Sequence, residues 1–150
     1  MNKWMQVAYD EAIKGMLANA GGPFGAVIVK DGEIIASSHN TVLLTNDPTA
    51  HAEINAIRKA SQKLNNFNLS QCTLYTTCQP CPMCLGAILW SHIDVVYYGA
   101  TKDDAKKAGF NDSKFYDIMN SNILNLKQID RISSKKLFQI WSNKKDKITY

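Results

Sequence analysis

Two short motifs, His51-Ala52-Glu53 and Pro80-Cys81-Pro82-Met83-Cys84, supply one imidazole, two thiols and a carboxylate, and any fold that lets them act on one ion must bring both segments together. Zn²⁺ prefers four nitrogen or sulfur ligands. A site with three protein ligands, here His51, Cys81 and Cys84, keeps its fourth position for water, whose pKa the metal lowers to about 7. Hydroxide is then available near neutral pH. Glu53 need not bind metal, and a carboxylate beside such a water suits general acid/base work. The expected cofactor is one catalytic Zn²⁺ per subunit.

At 150 residues the chain suits one domain, residues 1–150, large enough to bury a full core without disulfides. No stretch approaches the roughly 18 continuous apolar residues of a membrane span, so no membrane association is expected. Lys3, Asp10, Glu11 and Lys14 interrupt the start, which does not read as a signal peptide; a cytoplasmic location is the expectation. Three of the four cysteines crowd into Cys78, Cys81 and Cys84, which favours metal binding over disulfides. Lys127, Arg131, Lys135, Lys136, Lys144, Lys145 and Lys147 load the last quarter with positive charge, read here as a solvated helix face rather than a nucleic-acid contact.

Apolar residues recur at helical spacing from about 2 to 18, and Gly21-Gly22-Pro23 ends that helix. Residues 24–29 and 33–36 read as a hairpin around Asp31-Gly32. Asp47 reads as an N-cap with Pro48 at the first helical position, which places His51 in the first turn of a helix running to about Leu64. Residues 72–77 read as a strand entering Cys78-Gln79-Pro80, and Pro82 opens a helix through Trp90. Asp94–Tyr98 reads as a further strand, 101–110 as a loop and short helix, and Ser134–Asn143 as a last helix with Leu137, Phe138 and Trp141 inward. The expected class is α/β: three layers, one mixed sheet flanked by helices on both faces.

Cys78 separates two readings of the zinc motif. A closed structural site would use Cys78, Cys81, Cys84 and His51, leaving no open position and no chemistry. An open catalytic site leaves Cys78 out and gives Glu53 a purpose. On a helix, positions i and i+2 diverge around the axis, so Glu53 is expected to reach past the metal toward water and substrate.

His-x-Glu followed by Pro-Cys-x-x-Cys is the signature of zinc nucleobase deaminases, and from about Gly22 onward the chain resembles the cytidine deaminase-like superfamily. Gly21-Gly22-Pro23-Phe24-Gly25 through Gly32, Asn46-Asp47-Pro48-Thr49-Ala50-His51-Ala52-Glu53 and Cys81 through Ile88 are most similar to the bacterial guanine deaminases. The tRNA adenosine deaminases share much of this pattern. Cys78 before Gln79, the run Ala108–Ser113 and the end from Trp141 to Tyr150 tilt the resemblance toward the guanine enzymes, while Gln79 stands where both groups usually carry Glu.

This resemblance implies the cytidine deaminase-like fold and hydrolysis of guanine to xanthine and ammonia, hydroxide on zinc attacking the ring carbon with Glu53 as proton shuttle. It implies that Phe24 stacks on the purine, that Asn40 donates to its ring edge, and that Asp112 acts with Glu53 in catalysis. Ala52, Trp90 and Tyr150 complete the implied substrate-binding set. It also implies a homodimer, with the C-terminal segment from about 100 to 150 swapped between subunits so that one completes its partner's site. The alternatives are a tRNA adenosine deaminase, acting at the anticodon wobble position and needing a nucleic-acid surface, and a non-catalytic zinc module.

Overall fold

The computed structural model describes residues 1–112, 115 and 125–147. The chain runs α1 (Lys3–Leu17), β1 (Gly25–Lys30), β2 (Glu33–His39), α2 (Val42–Thr45), α3 (Ala52–Leu64), β3 (Thr73–Cys78), α4 (Pro82–Trp90), β4 (Val95–Ala100), α5 (Lys102–Lys107), β5 (Asn125–Gln128) and α6 (Arg131–Asn143). Asn2 caps α1 by accepting from the Trp4 and Met5 amides, and the helical period buries Met5, Ala8, Ala12 and Met16. Gly25 lets that face lie close on β1, since a Cβ there would strike the Ala8 carbonyl. Asp31 and Gly32, with φ of 51° and 78°, form the two-residue hairpin turn expected of Asp-Gly.

The sheet has the order β2-β1-β3-β4-β5. β1 pairs antiparallel with β2 and β3, whereas β3–β4 and β4–β5 are parallel. Side chains alternate across it: Ala26 and Ile28 face Ala52, Ala56 and Ala60 of α3 and Ile88 of α4, while Val27 and Val29 face Met5 and Ala8 of α1. Gly99, on the α1 side of β4, leaves room for Ser134 of α6. Two helices thus cover each face, and the expected three-layer α/β/α architecture with one mixed sheet holds. Among the described residues no helix is long and apolar enough to cross a membrane.

Three details differ from the expectations. Asp47 does not cap α3; its Oδ1 accepts from the Thr49 amide at 2.8 Å and hydroxyl at 2.7 Å, a local turn that delays the helix until Ala52 and makes His51 the N-cap residue. The last helix begins at Arg131, before Ser134, and still buries Leu137, Phe138 and Trp141. Neither α2 nor β5 is foreseen by pattern, because β5 is a short, mostly exposed edge strand (Asn-Leu-Lys-Gln) whose pairing with β4 is long-range.

Candidate metal centre and cavity

Both motifs sit at helix starts. His51 is the N-cap residue of α3 and Cys81 that of α4, both in extended conformation (ψ 158° and 166°), and Cys84 lies buried in the first turn of α4. His51 Nδ1 lies 3.7 Å from Cys81 Sγ and 3.6 Å from Cys84 Sγ. A tetrahedral zinc with ordinary Zn–N and Zn–S bonds separates nitrogen from sulfur by about 3.6 Å. The donor set therefore fits Zn²⁺ in both chemistry and spacing. Because His51 precedes the helix, the divergence of i and i+2 does not apply: Glu53 Oε2 comes within 3.5 Å of Cys84 Sγ.

Cys78 stands apart from this group. Its Sγ donates to the Thr101 carbonyl at 3.7 Å, and among the described residues the metal-competent set is His51, Cys81 and Cys84 alone. The arrangement of the described residues thus lacks the fourth thiol that a closed site would need. Three ligands leave the fourth position open.

The charges are coupled. A hydrogen bond from Cys84 and the neighbouring His51 lower the Cys81 thiol to about 4, against burial. The same Cys81–Cys84 hydrogen bond, with burial and Glu53, pushes Cys84 well above the usual thiol range. A thiolate is thus favoured at Cys81 and a thiol at Cys84; metal ligation would replace the Cys84 proton. Burial opposes the His51 imidazolium, yet Cys81, Glu53 and Asp112 together raise it. Desolvation raises Glu53, which is buried at 6% exposure, with Oε1 accepting from the Thr76 hydroxyl at 3.2 Å. Burial and the Cys81 charge likewise raise Asp112.

A cavity of about 330 Å³ opens beside this group at the carboxyl ends of β3 and β4. Phe24, Asn40, Glu53 and Asp112 all line it, as do His51 and Cys81. Phe24 meets Phe110 and Phe138 edge-on, with centroids 4.9 and 5.8 Å away. The Asn40 Oδ1 accepts from the Val42 amide at 3.0 Å, so what this side chain can offer a ligand is its NH₂. Among the described residues, Asp112 Oδ1 is buried without a hydrogen-bond partner.

Other expected contacts are not brought to the cavity. Ala52 is fully buried in the core cluster beneath α3, and Trp90, at the end of α4, is 84% exposed; neither lines the cavity within one chain. Tyr150 lies outside the described residues. Sequence reasoning missed Thr76, Phe110 and Lys102. Thr76 is signalled as the one hydroxyl on the face of β3 that it shares with Leu74 and Cys78. Gln79 Oε1 accepts from the Lys102 amide at 3.3 Å, joining the loop before Cys81 to the start of α5.

Residues 1–100 match the family described as the cytidine and deoxycytidylate deaminase zinc-binding region. The chain is 48% identical to guanine deaminase of Bacillus subtilis over 98% of its length and 97% of that protein. It is 38% identical to a tRNA-specific adenosine deaminase of Buchnera aphidicola, over 89% of the chain and 88% of that protein. A crystal structure of the Bacillus subtilis guanine deaminase aligns with a TM-score of 0.75 at 46% identity, covering 100% of this chain and 99% of that one. Another solved structure, in complex with 2,6-diaminopurine, aligns with a TM-score of 0.84 at 26% identity over 98% of this chain and 83% of that one.

Proposed function

The chain belongs to the cytidine and deoxycytidylate deaminase zinc-binding family, and on that premise we propose that it hydrolyses guanine to xanthine and ammonia. The observation that carries this reading is the cavity itself, in which an amide donor (Asn40), a carboxylate oxygen unpaired among the described residues (Asp112) and an aromatic ring (Phe24) surround Glu53 and the ligand set. A purine of this kind presents O6 and N7 as acceptors and ring and exocyclic N–H groups as donors. Asn40 supplies its NH₂ to the acceptors and Asp112 accepts from the donors, while Phe24 covers a ring face.

His51, Cys81 and Cys84 hold the zinc. Bound there, Zn²⁺ lowers the pKa of a coordinated water to about 7 and makes hydroxide available near neutrality. Glu53 takes one proton from water as its oxygen adds to the ring carbon bearing the amine and passes it to the adjacent ring nitrogen; it then moves the remaining proton of the added hydroxyl to the amine, which leaves as ammonia as the carbonyl forms. The Thr76 hydroxyl fixes Oε1 of Glu53, which leaves Oε2, on the cysteine side, for that transfer. Burial favours the protonated carboxyl and so keeps Glu53 able to give the proton back. Asp112 orients the base and assists at the N–H edge.

The same reading takes the protein as a cytoplasmic homodimer in which each subunit's segment from about residue 100, with Asp112 and Tyr150, is exchanged to complete the other subunit's cavity. Sedimentation gives the oligomeric state. The decisive experiment measures ammonia release by the zinc-loaded protein from guanine and, separately, from an adenosine-containing tRNA anticodon stem-loop, with Glu53→Ala as the blank. Turnover of guanine alone is expected; activity on the stem-loop alone would move the assignment to RNA editing, and silence on both with zinc bound would leave a non-catalytic zinc protein.

A further inference from the structure

Between β2 and α3 the chain makes an excursion whose two feet carry the cavity amide and a metal ligand, Asn40 at one and His51 at the other. The feet are joined by one backbone hydrogen bond, from the Thr41 amide to the Ala50 carbonyl at 2.9 Å. Asn55, one turn into α3, spans the same junction: its Nδ2 donates to the His39 carbonyl at 3.0 Å, to Thr41 Oγ1 at 2.9 Å and to the Ala50 carbonyl at 3.3 Å. Two of these partners are carbonyl oxygens, so the atom facing them must be the NH₂ and not the amide oxygen. The contacts bracket Asn40 on both sides, and the Asn40 amide itself donates to the Phe24 carbonyl at 3.1 Å. Asn55 therefore has no need to reach the cavity to govern what lines it.

We infer that Asn55 is a positioning residue for base recognition: by clamping His39, Thr41 and Ala50 it sets where the Asn40 amide meets the substrate. This inference rests on the reading of Asn40 as a base contact. Alanine removes the donor, and aspartate keeps the shape while turning a carboxylate toward carbonyl oxygens.

The test uses the zinc-loaded full chain. Loss of the clamp should raise KM for guanine about tenfold in Asn55→Ala and leave kcat within about threefold, with zinc content unchanged. In an Asn40→Ala background the same change should add less than about twofold, because the amide it positions is already gone. A fall in kcat at constant KM, or full multiplication of the two effects, overturns the assignment. Should Asn55→Ala fail to fold, Asn55→Asp is read by hydrogen exchange. Faster exchange of the Thr41 amide, with α1 unchanged, supports the clamp, and unchanged exchange at Thr41 refutes it. That readout needs no turnover, so an enzyme inactive on guanine would sink the substrate reading while the clamp is still decided.

Discussion

Replacing Thr76 by valine exchanges a hydroxyl for a methyl of nearly the same size at a buried position. Thr76 is 1% and Glu53 6% exposed, and the hydroxyl donates to Glu53 Oε1 at 3.2 Å. The variant keeps the packing of β3 against β1, where Thr76 pairs with Ala26. What it loses is one hydrogen bond to a buried carboxyl, worth about 1–2 kcal/mol, which corresponds to roughly 2–8 °C in Tm for a domain of this size. If orienting Glu53 draws on the same energy in the reaction, kcat falls about 5- to 30-fold, since each 1.4 kcal/mol is about a factor of ten. That is well short of the roughly 10²- to 10⁴-fold expected on removing the proton shuttle itself. The assay is ammonia release from guanine by zinc-loaded protein across substrate concentrations, beside thermal unfolding. KM should stay within about threefold, because Thr76 holds the shuttle and not the base, and Thr76→Ser should restore most of kcat. Wild-type kcat in Thr76→Val would refute the claim that this hydroxyl aims Glu53, and a rise in KM alone would put Thr76 on the recognition side.

Further substitutions probe other parts of the site. Cys78→Ala should retain one zinc per chain by metal analysis, whereas Cys84→Ala should lose it, because the Cys78 thiol faces the Thr101 carbonyl and not the ligand group. Asp112→Ala should cut guanine turnover about 10- to 100-fold with zinc still bound, and measurable binding of a purine inhibitor should weaken in parallel. In α5, burial works against the Asp104 carboxylate, but hydrogen bonds from the Thr101 amide and hydroxyl and from Arg131 hold it below the usual carboxylate range. A depressed carboxyl contributes stability that is present above its unfolded pKa of about 4 and is lost as pH falls through the folded value. The stability gap between wild type and Asp104→Asn, measured by urea unfolding, should therefore be about 1–3 kcal/mol at pH 7 and shrink below pH 4.

The sequence by itself determined the donor set and most of the helices. His51, Cys81 and Cys84 are recognisable because zinc accepts few side-chain types, and Glu53 because a carboxyl among them has no ligand role to play. The turn at Asp31-Gly32 and the inward face of α6 (Leu137, Phe138, Trp141) follow from local backbone preference and helical period, which need no knowledge of distant residues. Tertiary structure alone decided how those ligands are aimed. The Asp47–Thr49 turn shifts the start of α3 to Ala52, frees His51 from the helix, and so lets His51 and Glu53 address one point. It also decided that Cys78 turns away, that Trp90 is exposed within one chain, and that Thr76 and Asn55 hold the side chains the chemistry needs. The settings of Cys78, Thr76 and Asn55 each depend on a hydrogen bond between segments apart in sequence, as between Thr76 of β3 and Glu53 of α3. A local pattern records a residue's type and period. It does not record which distant carbonyl or carboxyl its side chain will meet.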